Sequence, residues 1–250
     1  MKRLVPLLLA AVLPAISTPT ESDHLQRGEL PWGEDDLFVR YDKEVRRILR
    51  RAWQPDVVLR TVHFPPFHAE WIVGILRRPS GYSAFLLEPS TQIWAAVEDP
   101  KNAIEPLAKI RPRYYERELS DASADRLAAI FRTVLSDRRN YHEDRRILTD
   151  SSSFTYMVRY RPGEHFVAYT ASDEHTPSAL LFDVSARLYL YIRGKVDLPD
   201  DKWLRMNPKE SQLTLEQCIR EVETKLRVTK RSNHAMQPTA SPRTASLSDD

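Results

Sequence analysis

The chain has 250 residues, 37 basic and 35 acidic side chains, 42% hydrophobic residues and 29% charged ones. That balance excludes a disordered polyelectrolyte and gives no general pull toward nucleic acid or anionic membrane. One cysteine, Cys218, excludes an intramolecular disulfide.

The first segment, "MKRLVPLLLAAVLPAIST", has the order of a secretory signal: Lys2 and Arg3, an apolar run from Leu4 to Leu13, then small residues. Cleavage is expected after Ser17, so residues 1–17 are read as a signal peptide. Ten apolar residues are too few to span ~30 Å of hydrocarbon. Removal of Lys2 and Arg3 leaves 35 basic against 35 acidic residues. The expected location is periplasmic or secreted, with no stable membrane insertion after cleavage. Residues 18–33 read as a flexible lead-in, and residues 34–228 as one globular domain.

Residues 35–52 space Leu37, Phe38, Tyr41, Val45, Ile48 and Leu49 as the apolar stripe of a helix. Four short runs follow: "DVVLRTV", "EWIVGILRR", "YSAFLLE" and "QIWAAV". All four are rich in β-branched or aromatic residues and read as strands. Pro79-Ser80-Gly81 marks a hairpin turn between the second and third. "PRYYEREL" at 112–119 reads as another strand. The next segment, "SDASADRLAAIFRTVLSD", repeats Leu127, Ile130, Phe131, Val134 and Leu135 at helical spacing, with Ser120 or Ser123 as its cap.

"SFTYMVRY" and "EHFVAYT" are joined by Arg161-Pro162-Gly163, a hairpin signal. Residues 176–193 fit both periodicities. Their length and the Thr176-Pro177 start favour a helix. "TLEQCIREVETKL" opens on Thr214 and Gln217 in capping-box spacing, with Cys218 on its apolar stripe. Residues 229–250 are polar, aperiodic and rich in Ser, Thr, Ala and Pro, and read as a disordered tail. That tail resembles the "MQPTASPRT"-type extensions at the ends of some bacterial sequences, which implies a fused extension rather than a module. Strand runs and helix runs do not strictly alternate. The expected fold class is therefore α+β: a mostly antiparallel sheet of five to six strands against three to four helices.

Six glycines form neither G-x-x-x-x-G-K-[ST] nor G-x-G-x-x-G, and no G-x-S-x-G elbow occurs. No cofactor is expected, and the histidines lack the spacing of a helical zinc pair. His142, His165, His175 and Glu174 are the candidate catalytic set for a hydrolase, metal-assisted or not, provided folding gathers them. The arginine doublets 46–47, 50–51, 77–78, 138–139 and 145–146 offer an anion-binding face if they share one side, and dispersed surface charge if they do not. Missing catalytic motifs favour a noncatalytic domain that binds a protein or envelope ligand, over a hydrolase of envelope material.

Overall fold

The computed structural model describes residues 26–27, 36–65, 68–136, 153–161, 163–170, 177–194 and 214–235. Its centre is one antiparallel sheet. In chain order the strands are β1 (Gln26–Arg27), β2 (Val57–Phe64), β3 (Trp71–Arg78), β4 (Gly81–Pro89), β5 (Pro112–Leu119), β6 (Ser153–Arg161) and β7 (Glu164–Thr170). The helices are α1 (Asp36–Ile48), α2 (Ile93–Glu98), α3 (Asp121–Ser136), α4 (Pro177–Arg193) and α5 (Leu215–Ala235). Across the sheet the order is β1-β7-β6-β2-β3-β4-β5. The α+β class expected from the sequence is therefore observed.

Alternation along each strand sorts side chains onto two faces. Trp71, Val73 and Ile75 of β3, Ala84 and Leu86 of β4, and Phe154, Tyr156 and Val158 of β6 face one way. There they meet Leu127, Phe131 and Leu135 of α3, Leu181 and Leu188 of α4, and Ile219 and Val222 of α5. Ile72, Leu76, Phe85, Leu87 and Met157 face the other way, under Tyr41, Val45 and Ile48 of α1 and Ile93, Ala96 and Val97 of α2. Helices on both faces explain why "WIVGIL" is apolar at every position.

The turns follow their glycines. Gly81 and Gly163 hold φ of 133° and 78°, which only glycine adopts without strain, and each closes a hairpin at its expected place. Ser120 Oγ accepts from the Ser123 amide at 3.1 Å and so caps α3. Thr214 and Gln217 form the reciprocal capping box: Thr214 N donates to Gln217 Oε1 at 2.7 Å, and Gln217 N to Thr214 Oγ1 at 3.2 Å.

Three expectations are corrected. "QIWAAV" is not a strand but the helix α2. A six-residue apolar run carries too little period to decide. What decides is Glu70, whose carboxylate accepts the amides of Ile93 and Trp94 at 2.9 and 3.0 Å. Within the lead-in, Gln26 and Arg27 pair with Tyr169 and Ala168, so β1 completes the outer side of β7. The last helix runs to Ala235, past the expected start of the tail at 229. The signal segment, Thr176 and the rest of the tail lie outside the described residues. Among the described residues no helix is long and apolar enough to cross a membrane.

Candidate ligand pocket

Where α1 ends, Leu49 is buried and a 3-10 turn, Arg50–Trp53, redirects the chain. Trp53 anchors this turn. The guanidiniums of Arg46 and Arg60 lie 5.3 and 4.9 Å from its ring centroid, and Arg60 donates to the Ala52 carbonyl at 3.3 Å. The turn is thereby fixed against the sheet, and it presents Arg50 and Arg51 toward Arg78 of β3, Leu87 of β4 and Tyr114 of β5.

Asp56 receives Arg51 through two bonds, Nη1 to Oδ1 at 2.9 Å and Nη2 to Oδ2 at 2.5 Å. The Asp56 carbonyl also accepts the Arg77 amide at 2.9 Å. That bond brings Arg78 alongside, its Nη1 3.5 Å from Asp56 Oδ2. Arg78 then donates Nε and Nη2 to Glu116 Oε1 and Oε2, at 2.8 and 2.6 Å. The Tyr114 hydroxyl also donates to Glu116 Oε2. Arg51, Asp56, Arg78, Glu116 and Tyr114 form one continuous ladder of alternating charge.

Beside the ladder is a pocket of about 250 Å³. Arg50, Arg51 and Arg78 supply its cations, Ile48, Leu87 and Pro112 its apolar surface, and Tyr114 its aromatic wall. Arg78 holds the Glu116 carboxyl down at about 2. Arg51 lowers Asp56 in the same way. Partial burial, then the hydrogen bond to Glu116, pushes Tyr114 up to about 12. At neutral pH three guanidiniums therefore face two carboxylates, leaving one positive charge. Guanidiniums do not deprotonate, and the other groups titrate far from neutrality. The charges that line the pocket are therefore fixed near neutral pH.

Other buried ionisable groups have structural roles. Glu70 is fully buried, and Tyr41 Oη donates to it at 2.7 Å, in addition to the two α2 amides. Desolvation raises its carboxyl above the ordinary range. His63 lies between Trp71 and Phe154, stacked on Phe154 with centroids 4.6 Å apart and tilted by 46° to Trp71 at 4.8 Å. Burial, with a smaller contribution from the charge of His68, lowers it to about 3, so it is neutral at physiological pH. Ser185 donates to the Leu181 carbonyl at 2.6 Å, which leaves Thr61 as donor in their 2.7 Å contact. Cys218 is buried, and its thiol is pushed up to about 12 by desolvation first and the Asp183 charge second.

Of the candidate catalytic set, His165 is exposed on β7 opposite Arg159. His142, Glu174 and His175 lie outside the described residues. Among the described residues, no three of His, Cys, Asp and Glu gather as a metal site. Of the doublets, 50–51 contributes both members to the pocket and 77–78 contributes Arg78, while Arg77 falls on the opposite parity of β3. Arg46 and Arg47 pair within α1 with Asp42 and Glu44, at 2.7 and 2.5 Å. Doublets 138–139 and 145–146 lie outside the described residues. The roles of Asp56, Glu116 and Tyr114 were missed from the sequence. The bond from Arg78 to Glu116 spans 38 positions, and no local signal encodes it.

Fold and site together define an α+β domain with an arginine-lined pocket on the α1 face of its sheet. Comparisons with protein-family models, with curated proteins and with solved structures each return no match.

Proposed function

We propose that the chain is a noncatalytic binding domain whose ligand is a small anion seated in the pocket between α1 and β5. We propose further that residues 1–17 direct it out of the cytoplasm, so that the ligand is an envelope or extracellular one. One observation carries the binding reading: Arg50, Arg51 and Arg78, from two separate segments, converge on a single cavity with an apolar surface. Guanidinium groups recognise carboxylate and phosphate in bidentate geometry, and the apolar surface adds affinity without adding charge. The resident carboxylates hold Arg51 and Arg78 in place beside the cavity.

Isothermal titration of the protein with small carboxylates and phosphates at low salt tests this. At least one anion is expected to bind, with affinity that weakens as salt rises and weakens further in Arg50→Ala. Identical responses to anions and to their neutral amides would remove the basis for the proposal. Mass spectrometry of protein recovered from the cell envelope tests export: a chain beginning near residue 18 supports it, and an intact leader contradicts it.

A further inference from the structure

The arrangement of the arginines narrows the ligand further, and this step rests on the anion-binding reading above. Two of the three cations are already matched. Arg51 turns both terminal nitrogens to Asp56, and Arg78 turns Nε and Nη2 to Glu116. Each is a fork facing a fork, the geometry in which guanidinium and carboxylate satisfy each other. Arg50 differs. It is exposed at the rim of the pocket, and among the described residues it is engaged by no ion pair or hydrogen bond. One guanidinium offers one such face to one carboxylate.

A second negative charge on the ligand meets opposition. Asp56 and Glu116 stay ionised at neutral pH, and the cluster carries a surplus of only one positive charge. A dianion would overcompensate it and sit near two resident anions, without the full screening of bulk water. The remaining surface is apolar: Ile48 and Leu87 are buried core residues that reach the cavity, and Pro112 continues that surface along β5. A cavity of about 250 Å³ lies below the ~300–1,000 Å³ range of drug-sized sites. Its occupant is therefore small, a single ring or a short branched chain.

We propose that the pocket takes one carboxylate carried on a small apolar body, with Arg50 as the cation that receives it.

Titration calorimetry of the protein at pH 8 and low salt, with five probes, tests this. Phenylacetate combines one charge with a ring. Phenylacetamide removes the charge, acetate removes the ring, and phenyl phosphate and inorganic phosphate carry close to two charges at this pH. Phenylacetate is expected to bind about tenfold or more tighter than each of the other four. Arg50→Ala is expected to lose about tenfold for phenylacetate, and Arg50→Lys to recover only part of it, because an ammonium lacks the planar fork. Arg50 is exposed, so both variants are expected to keep the wild-type circular dichroism spectrum. Tighter binding of either phosphate overturns the carboxylate assignment and leaves the anion-binding reading standing. Equal binding of phenylacetate and phenylacetamide, or no heat from any probe at about 10 mM, overturns both. Unchanged affinity in Arg50→Ala overturns the role given to Arg50.

Discussion

Arg78 and Glu116 meet fork to fork across one face of the sheet, Nε to Oε1 at 2.8 Å and Nη2 to Oε2 at 2.6 Å. The register places Glu116 opposite Phe85 and Arg78 opposite Gly81, so the bond crosses from β3 over β4 to the edge strand β5. It is the cross-brace of the pocket.

The brace has a pH signature. In the folded protein Arg78 holds the Glu116 carboxyl at about 2, below its ordinary value of 4.5. A depressed carboxyl contributes stability above its unfolded value and loses it as pH falls through its folded value. Stability is therefore expected to decline between about pH 4.5 and 2. In Glu116→Gln that decline should be shallower than in wild type, because this titration is gone, but not absent, because Asp56 and Glu223 remain to titrate. Melting temperatures of both proteins from pH 2 to 7 measure the difference; parallel curves would contradict the assignment.

Glu70 joins three elements with one carboxylate. It precedes β3, accepts the Tyr41 hydroxyl from α1 and accepts two amides of α2. Glu70→Ala orphans three donors in or near the core. It is expected to destabilise by ~3 kcal/mol or more, whereas Tyr41→Phe, which removes one donor, costs ~1 kcal/mol. Urea unfolding at pH 7 gives both values. A loss under ~0.5 kcal/mol for Glu70→Ala would show that α2 does not depend on this cap.

Gly74 is the close point of the sheet. A Cβ there would lie 2.3 Å from the Leu59 carbonyl oxygen and 2.6 Å from the Phe85 ring. Gly74→Ala is expected to cost ~2 kcal/mol or more. Phe85→Leu relieves the ring contact but not the backbone one. The double variant is therefore expected to be no more stable than Gly74→Ala alone. Denaturant midpoints decide, and full rescue would place the whole conflict on the ring.

Cys218 is buried against α4, where its Sγ lies 3.9 Å from the Asp183 carbonyl oxygen. With the thiol held near 12, almost no thiolate forms at pH 8. Iodoacetamide is expected to label the native protein at least about a hundredfold more slowly than the urea-unfolded chain. Comparable rates followed by mass spectrometry would contradict its burial.

What was legible in the sequence was whatever is encoded locally. The amphipathic stripe of α3, the turns at Gly81 and Gly163 and the box at Thr214 and Gln217 each lie within a few residues of one another. α4 was ambiguous because it is apolar nearly all round: Leu181, Phe182, Val184, Ala186, Leu188 and Leu190 are all buried. A helix covered on most sides loses its period. α2 was illegible because its deciding partner, Glu70, lies 23 positions before Ile93. The pocket was half visible. The doublets at 50–51 and 77–78 raised the idea of an anion face, but which members meet, and which carboxylates hold them, is a property of sheet register.

The most direct test of the account is a nuclear magnetic resonance titration of the ¹⁵N-labelled protein with phenylacetate. Chemical-shift changes are expected to concentrate at Arg50, Arg51, Arg78 and Tyr114, and in Arg50→Ala to require about tenfold more phenylacetate. Changes centred on another face, or none at saturating phenylacetate, would contradict it.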